Sequence, residues 1–146
     1  MPTITTTNLN ETKALAAEIV GLLKPAERAT VLALYGDLGA GKTSFTQGLA
    51  ASLGVVENIS SPTFVIEKIY DLPVGQSFKK LIHIDAYRLS EGGDLAKLGF
   101  ETIESESENL IVIEWPEQVA DIIPVGAKKI SFKFIDDNMR EITYEI

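Results

Sequence analysis

The run Gly36-Asp37-Leu38-Gly39-Ala40-Gly41-Lys42-Thr43 satisfies the pattern G-x-x-x-x-G-K-[ST] in full, and no other stretch of the chain restricts its folding as tightly. Glycines at Gly36, Gly39 and Gly41 let successive backbone N–H groups turn inward around an anion. A helix opening at Lys42 points its positive dipole end at the same place. In such a loop the Lys42 ammonium reaches the β- and γ-phosphates of a nucleotide and the Thr43 hydroxyl coordinates Mg²⁺. The pattern carries this meaning only between a buried strand and a helix. Thr30–Tyr35 (TVLALY) is a nearly all-apolar run of the kind buried on both faces of a parallel sheet. From about Lys42 to Leu53 a helix is expected, closed by Gly54 in the C′ position. The expected nucleotide contacts are Asp37, Leu38, Gly39, Ala40, Gly41, Lys42, Thr43 and the following Ser44.

The remaining segments set the fold class. From Asn8 or Asn10 as N-cap, Leu15, Ile19, Leu22 and Leu23 recur at helical spacing until Pro25. Val55 to Thr63 reads as a loop. Phe64–Tyr70 and Lys80–Asp85 read as the strands of a loose antiparallel hairpin around Pro73 and Gly75. Glu91–Leu98 predicts two helical turns before Gly99, and Glu104-Ser105-Glu106-Ser107-Glu108 a solvated loop. Leu110–Glu114 (LIVIE) is a second wholly apolar strand, followed by a short helix over Glu117–Ile123. Lys129–Ile135 and Arg140–Ile146 alternate apolar and polar residues around Asp136-Asp137-Asn138, a second hairpin. The expectation is an α/β chain whose helices pack on a mixed, partly antiparallel sheet. With 146 residues and no linker or repeat, residues 1–146 are expected to form one domain.

Thirteen basic against twenty-one acidic residues give a net charge of −8, which argues against a phosphate-binding surface broad enough for nucleic acid. If a nucleic acid is involved, a partner is expected to hold it. The chain has no cysteine, which excludes a disulfide framework, a thiolate zinc site and a thiol nucleophile, and fits a reducing compartment. No signal-peptide pattern and no membrane-spanning apolar run are visible, so the expected location is cytoplasmic.

A phosphate-bound Mg²⁺ ion wants a carboxylate at a nearby strand end. Asp85 and Glu114 both end apolar strands. The run before Glu114 is more wholly apolar and is expected beside TVLALY, which favours Glu114 as the metal carboxylate. Asp85 is then left to orient or deprotonate an attacking water. His83 shares a strand face with Asp85 and, as the only histidine, reads as a hydrogen-bonded structural side chain. Trp115 either packs in the core or lies near the nucleotide. Thr63, in the loop Asn58–Thr63, either contacts one of Mg²⁺ and the γ-phosphate or belongs to an ordinary Ser-Pro turn.

Five stretches in this order resemble the bacterial TsaE (YjeE) family: Asn10-Glu11-Thr12, the loop Gly36–Thr43, Ser61-Pro62-Thr63-Phe64, His83-Ile84-Asp85-Ala86-Tyr87-Arg88 and Ile113-Glu114-Trp115-Pro116. The likeness spans nearly the whole chain. It implies a three-layer fold of the P-loop NTPase type and a Mg²⁺-dependent ATPase acting in threonylcarbamoyladenosine modification of tRNA. Its implied partners are the threonylcarbamoyltransferase TsaD and its companion TsaB, with tRNA reached only through that complex. By the same resemblance Thr43 and Glu114 bind Mg²⁺, Asp85 is needed for activity, and Thr12 and Trp115 lie near the nucleotide.

Three other functions fit a phosphate loop. A small-molecule kinase usually covers the phosphates with several arginines, whereas this chain has only Arg28, Arg88 and Arg140. A regulatory GTPase needs Asn-Lys-x-Asp, which is absent. A non-catalytic adaptor would bind nucleotide without turning it over.

Overall fold

A computed structural model describes residues 2–60 and 65–146. Seven strands are hydrogen-bonded into one sheet: β1 (Thr3–Thr6), β2 (Thr30–Tyr35), β3 (Glu67–Asp71), β4 (Lys80–Asp85), β5 (Asn109–Glu114), β6 (Lys128–Phe134) and β7 (Arg140–Glu145). Their spatial order is β1-β7-β6-β2-β5-β4-β3. The four inner strands β6, β2, β5 and β4 run parallel, whereas β3 pairs antiparallel with β4, β7 with β6 and β1 with β7. The mixed sheet expected from the sequence is therefore present, with TVLALY and LIVIE as neighbours.

Each face of the sheet carries its own apolar core. On one face α1 (Leu9–Leu22) and α2 (Lys42–Ser52) bury Leu15, Ile19, Phe45 and Leu49 against Leu32, Leu34, Leu110 and Val112. On the other, α3 (Gly92–Ala96), α4 (Phe100–Ser105) and a 3-10 helix (Pro116–Ile122) bury Leu95, Phe100 and Val119 against Val31, Ile82, Ile111 and Ile113. Alternate residues of β2 and β5 feed opposite cores, which is why these strands read as unbroken apolar runs. The Asn8 side chain caps α1 by accepting the Glu11 N–H at 2.8 Å. α1 and α2 cross so closely that a Cβ on Gly48 would stand 2.5 Å from the Lys13 Cα.

Four elements differ from the sequence reading. β1 was not expected. Phe100–Ser105 forms α4, although part of it falls in the acidic stretch read as loop, and Glu104 pairs there with Arg28. The helix expected over Glu117–Ile123 is a 3-10 helix broken at Val119 (φ −130°, ψ 34°). The strand expected from Phe64 is seen over Glu67–Asp71, and Ser61-Pro62-Thr63-Phe64 lies outside the described residues.

Candidate active site

The loop from Gly36 to Gly41 leaves the C-terminal end of β2 and delivers the chain into α2. Two of its glycines are needed for distinct reasons. A Cβ on Gly36 would stand 2.8 Å from the Phe132 carbonyl oxygen of β6, so the loop can pass that strand only without a side chain. Gly41 sits at φ 107°, a left-handed conformation that turns the chain into α2. Behind the loop, the Phe45 and Phe132 rings meet edge to face at 5.3 Å and tie α2 to β6. Such a contact contributes about 1 kcal/mol beyond its buried area.

Lys42 is buried at the first turn of α2. Its Nζ donates to the Gly36 carbonyl at 2.6 Å and lies 3.6 Å from the centre of the Trp115 ring. Burial pushes its pKa below the ordinary 10.5, with the carboxylates of Glu114, Glu117, Asp85 and Asp37 pulling the other way. Trp115 itself occupies the left-handed region (φ 58°, ψ 47°), a strained conformation for a bulky side chain. Its ring is held against Tyr87 at 5.1 Å, and its backbone turns the chain from β5 into Pro116.

Asp85 and Glu114 are the last residues of β4 and β5 and stand opposite each other in the parallel register. Both are buried. Asp85 Oδ1 accepts the Tyr87 N–H at 2.9 Å, which fixes its carboxylate at the strand end. Glu114 Oε2 lies 2.6 Å from His83 Nε2. A cavity of about 340 Å³ opens above the loop, and Lys42, Thr43, Asp85, Glu114 and Trp115 all line it. Thr43, Glu114 and Asp85 offer hard oxygen donors beside a helix N-terminus, and that donor set fits Mg²⁺.

Leu38, Gly39, Gly41 and Ser44 also line the cavity, and Leu38 is 84% exposed. Ala40 is buried beneath the loop and donates its N–H to the Asp37 carbonyl at 3.0 Å. Thr12 is not brought to the cavity: it is buried, and its hydroxyl meets the Thr6 hydroxyl at 2.8 Å. Leu9, one turn earlier on α1, lines the cavity instead. Thr63 lies outside the described residues. Two further lining residues were not singled out from the sequence, Tyr87 and Arg140. Tyr87 lay inside a quoted motif, and Arg140 is marked only by opening an alternating strand.

Comparison with known proteins gives a consistent answer. The family model described as "Threonylcarbamoyl adenosine biosynthesis protein TsaE" matches residues 6–142. A Bacillus subtilis protein named tRNA threonylcarbamoyladenosine biosynthesis protein TsaE is 36% identical over 139 residues, covering 95% of this chain and 82% of its own length. A Treponema pallidum protein of the same name is 38% identical over 125 residues, covering 86% of this chain and 87% of its own. The crystal structure of Bacillus subtilis YdiB superposes with a TM-score of 0.78 at 33% identity, covering 98% of this chain and 83% of that one. With a phosphate loop between β2 and α2, carboxylates on the two neighbouring strand ends, and this likeness along the full sheet, the chain belongs to the TsaE family.

Proposed function

We propose that the protein binds ATP with Mg²⁺ and hydrolyses it to ADP and phosphate as the nucleotide-driven subunit of threonylcarbamoyladenosine modification of tRNA. The observation that carries this reading is the placement of Lys42 and Thr43 at a helix N-terminus facing Asp85 and Glu114, in register on adjacent strands. Apart from that of Ala40, which the Asp37 carbonyl engages, the backbone N–H groups from Asp37 to Ser44 cradle the phosphates. Lys42 leaves the Gly36 carbonyl to reach the β- and γ-phosphates. Thr43 and Glu114 hold Mg²⁺, which when bound offsets the charge shared by the β- and γ-phosphate oxygens. Asp85 orients the water that attacks the γ-phosphorus and draws off its proton as the bond to the β-phosphate oxygen breaks. In this reading Trp115 and Thr63 also face the nucleotide, and Thr12 braces the turn of α1 that presents Leu9.

The working unit is residues 1–146, supported by the single sheet to which all seven strands belong. Its partners are a TsaD-like threonylcarbamoyltransferase and a TsaB-like companion. A chain of net charge −8 leaves the tRNA to them, and a tRNA substrate places the work in the cytoplasm. Among the described residues no helix is long and apolar enough to cross a membrane. A small-molecule kinase is not favoured, because relatives matching along most of the chain are named for tRNA modification. Hydrolysis by the isolated chain is slow, since an arginine supplied in trans is worth about a thousandfold or more in P-loop enzymes.

The test is phosphate release from ATP by wild type, Lys42→Ala and Asp85→Asn, alone and with the partner proteins, together with threonylcarbamoyladenosine levels in tRNA after gene deletion. Lys42→Ala should lose nucleotide binding, and Asp85→Asn should keep binding while turnover falls about a hundredfold or more. Normal tRNA modification in the deletion strain would refute the reading.

A further inference from the structure

Arg140 opens β7, two strands from β2 on the side away from β5 and β4. The phosphate loop therefore lies between Arg140 on one flank and the carboxylates of Glu114 and Asp85 on the other, and all of them line the same cavity. Arg140 is only 8% exposed. Its guanidinium carbon stands 4.7 Å from the centre of the Phe134 ring, and one amino nitrogen donates to the carbonyls of Asp136 and Met139 at 2.5 and 3.0 Å. The stem lies along the loop, so that a Cβ on Gly41 would stand 3.5 Å from its Cγ and 3.7 Å from its Nε. That Nε is buried and has no hydrogen-bond partner among the described residues. Among the same residues no carboxylate stands within ion-pair distance of Arg140.

A guanidinium stays charged at any physiological pH, and a charge taken out of water without a counter-charge is unfavourable unless an anion meets it. Two carbonyl dipoles, and the exposed Asp136 carboxylate that lies beyond ion-pair distance but still feels the Arg140 charge, offset only part of that cost. The N-terminus of α2 and the Lys42 ammonium add positive potential on the same side of the cavity. Phe134 and the hairpin carbonyls hold the guanidinium in place before any ligand arrives, and a rigid planar cation suits a phosphate better than a mobile one.

We propose that Arg140 binds the phosphate nearest the nucleoside, the α-phosphate, and so sets the direction in which the nucleotide lies. The γ-phosphate points to Glu114 and Asp85, and the nucleoside leaves past Arg140 toward Leu9. This inference rests on the nucleotide-binding reading.

The test is calorimetric titration of Mg²⁺–ADP into wild type, Arg140→Gln, Arg140→Lys and Lys42→Ala, each first melted without nucleotide to establish that it is folded. Arg140→Gln should bind at least about tenfold more weakly than wild type at low salt, as expected for loss of a charged hydrogen bond. The deficit should shrink as KCl is raised, and Arg140→Lys should fall between the two. Binding by Arg140→Gln equal to that of wild type, or a deficit indifferent to salt, overturns the proposal. If Arg140→Gln does not fold, the Nε–H resonance of Arg140 in wild type decides: ADP should move it, and an unmoved resonance at saturation overturns the proposal. Wild type that binds no ADP overturns the nucleotide reading and this proposal together. ADP binding that is lost in Lys42→Ala and intact in Arg140→Gln overturns this proposal alone.

Discussion

His83 and Glu114 meet across β4 and β5 two positions out of register: His83 stands opposite Val112 and Glu114 opposite Asp85, yet His83 Nε2 and Glu114 Oε2 are 2.6 Å apart. Both side chains are buried, and His83 Nδ1 has no partner among the described residues. The carboxylate can only accept, so Nε2 carries the proton and the ring fixes the direction in which Glu114 leaves the strand. His83→Ala should destabilise the fold by about 3 kcal/mol, because it leaves a buried carboxylate without its donor. In a double-mutant cycle with Glu114→Ala, urea unfolding should show a coupling of about 2 kcal/mol, and His83→Gln should recover part of it. Additive single losses would mean that the two residues act independently.

Trp115 is the sole tryptophan, and its ring now faces the Lys42 ammonium at 3.6 Å. A phosphate that draws Lys42 away changes the charge over the ring. ADP should therefore alter the emission of Trp115 saturably, and Lys42→Ala should alter it without any nucleotide. Emission that is the same in wild type, in wild type with ADP and in Lys42→Ala would leave Trp115 as packing alone.

Gly48 marks where α1 and α2 touch. Replacing glycine by alanine inside a helix ordinarily gains about 1 kcal/mol. Here the new methyl would stand 2.5 Å from the Lys13 Cα and 2.6 Å from its carbonyl oxygen, both backbone atoms that cannot swing aside. Gly48→Ala should lower stability by about 2 kcal/mol, read as a drop of several degrees in Tm. A rise in Tm would show that the helices part at no cost.

Glu67, on β3, has a buried Oε2 with no partner among the described residues, and burial raises its pKa above the ordinary 4.5. An acid whose folded pKa is raised contributes stability below its unfolded pKa and loses it as pH rises through the folded value. Wild type should thus lose stability over the window above 4.5 in which Glu67→Gln does not. Urea midpoints for the two proteins should be closest at the acid end of that window and diverge toward neutrality. A constant gap across the range would refute the assignment.

The parts of the molecule most legible in the sequence are those buried on both faces. β2, β4 and β5 announce themselves as apolar runs because each contributes to two cores, and the loop after β2 is written in glycines that its geometry requires. β1 escaped notice because it is an edge strand of four residues, mostly threonines, with one face in solvent. α4 was hidden because it is held mainly by Phe100 and by Glu104 pairing with Arg28, contacts from distant segments that override a Ser-Glu composition. Of the residues that line the cavity, Lys42, Thr43, Asp85 and Glu114 could be named because loop spacing and strand ends identify them, and Trp115 only as the neighbour of Glu114, with packing an equal alternative. Arg140 could not, since only the fold carries β7 to the flank of the loop, and Thr12 turned inward to Thr6, where no pattern of spacing shows it.

Thr3 of β1 and Thr143 of β7 are hydrogen-bonded at 3.0 Å across a separation of 140 residues. Loop-closure entropy makes so distant a pairing slow to form, so it belongs late in folding. On the ribosome β1 emerges early and has nothing to pair with until β7 has been synthesised. The turn that begins α1 is tied to β1 through Thr6 and Thr12, so the Leu9 wall of the cavity waits on the same event. The parallel centre with Lys42, Asp85 and Glu114 can assemble first, and the flank that carries Arg140 closes last. A nascent chain thus gains the side of the cavity that carries Asp85 and Glu114 before the side that carries Leu9 and Arg140, and a chain cut short of residue 140 lacks the second.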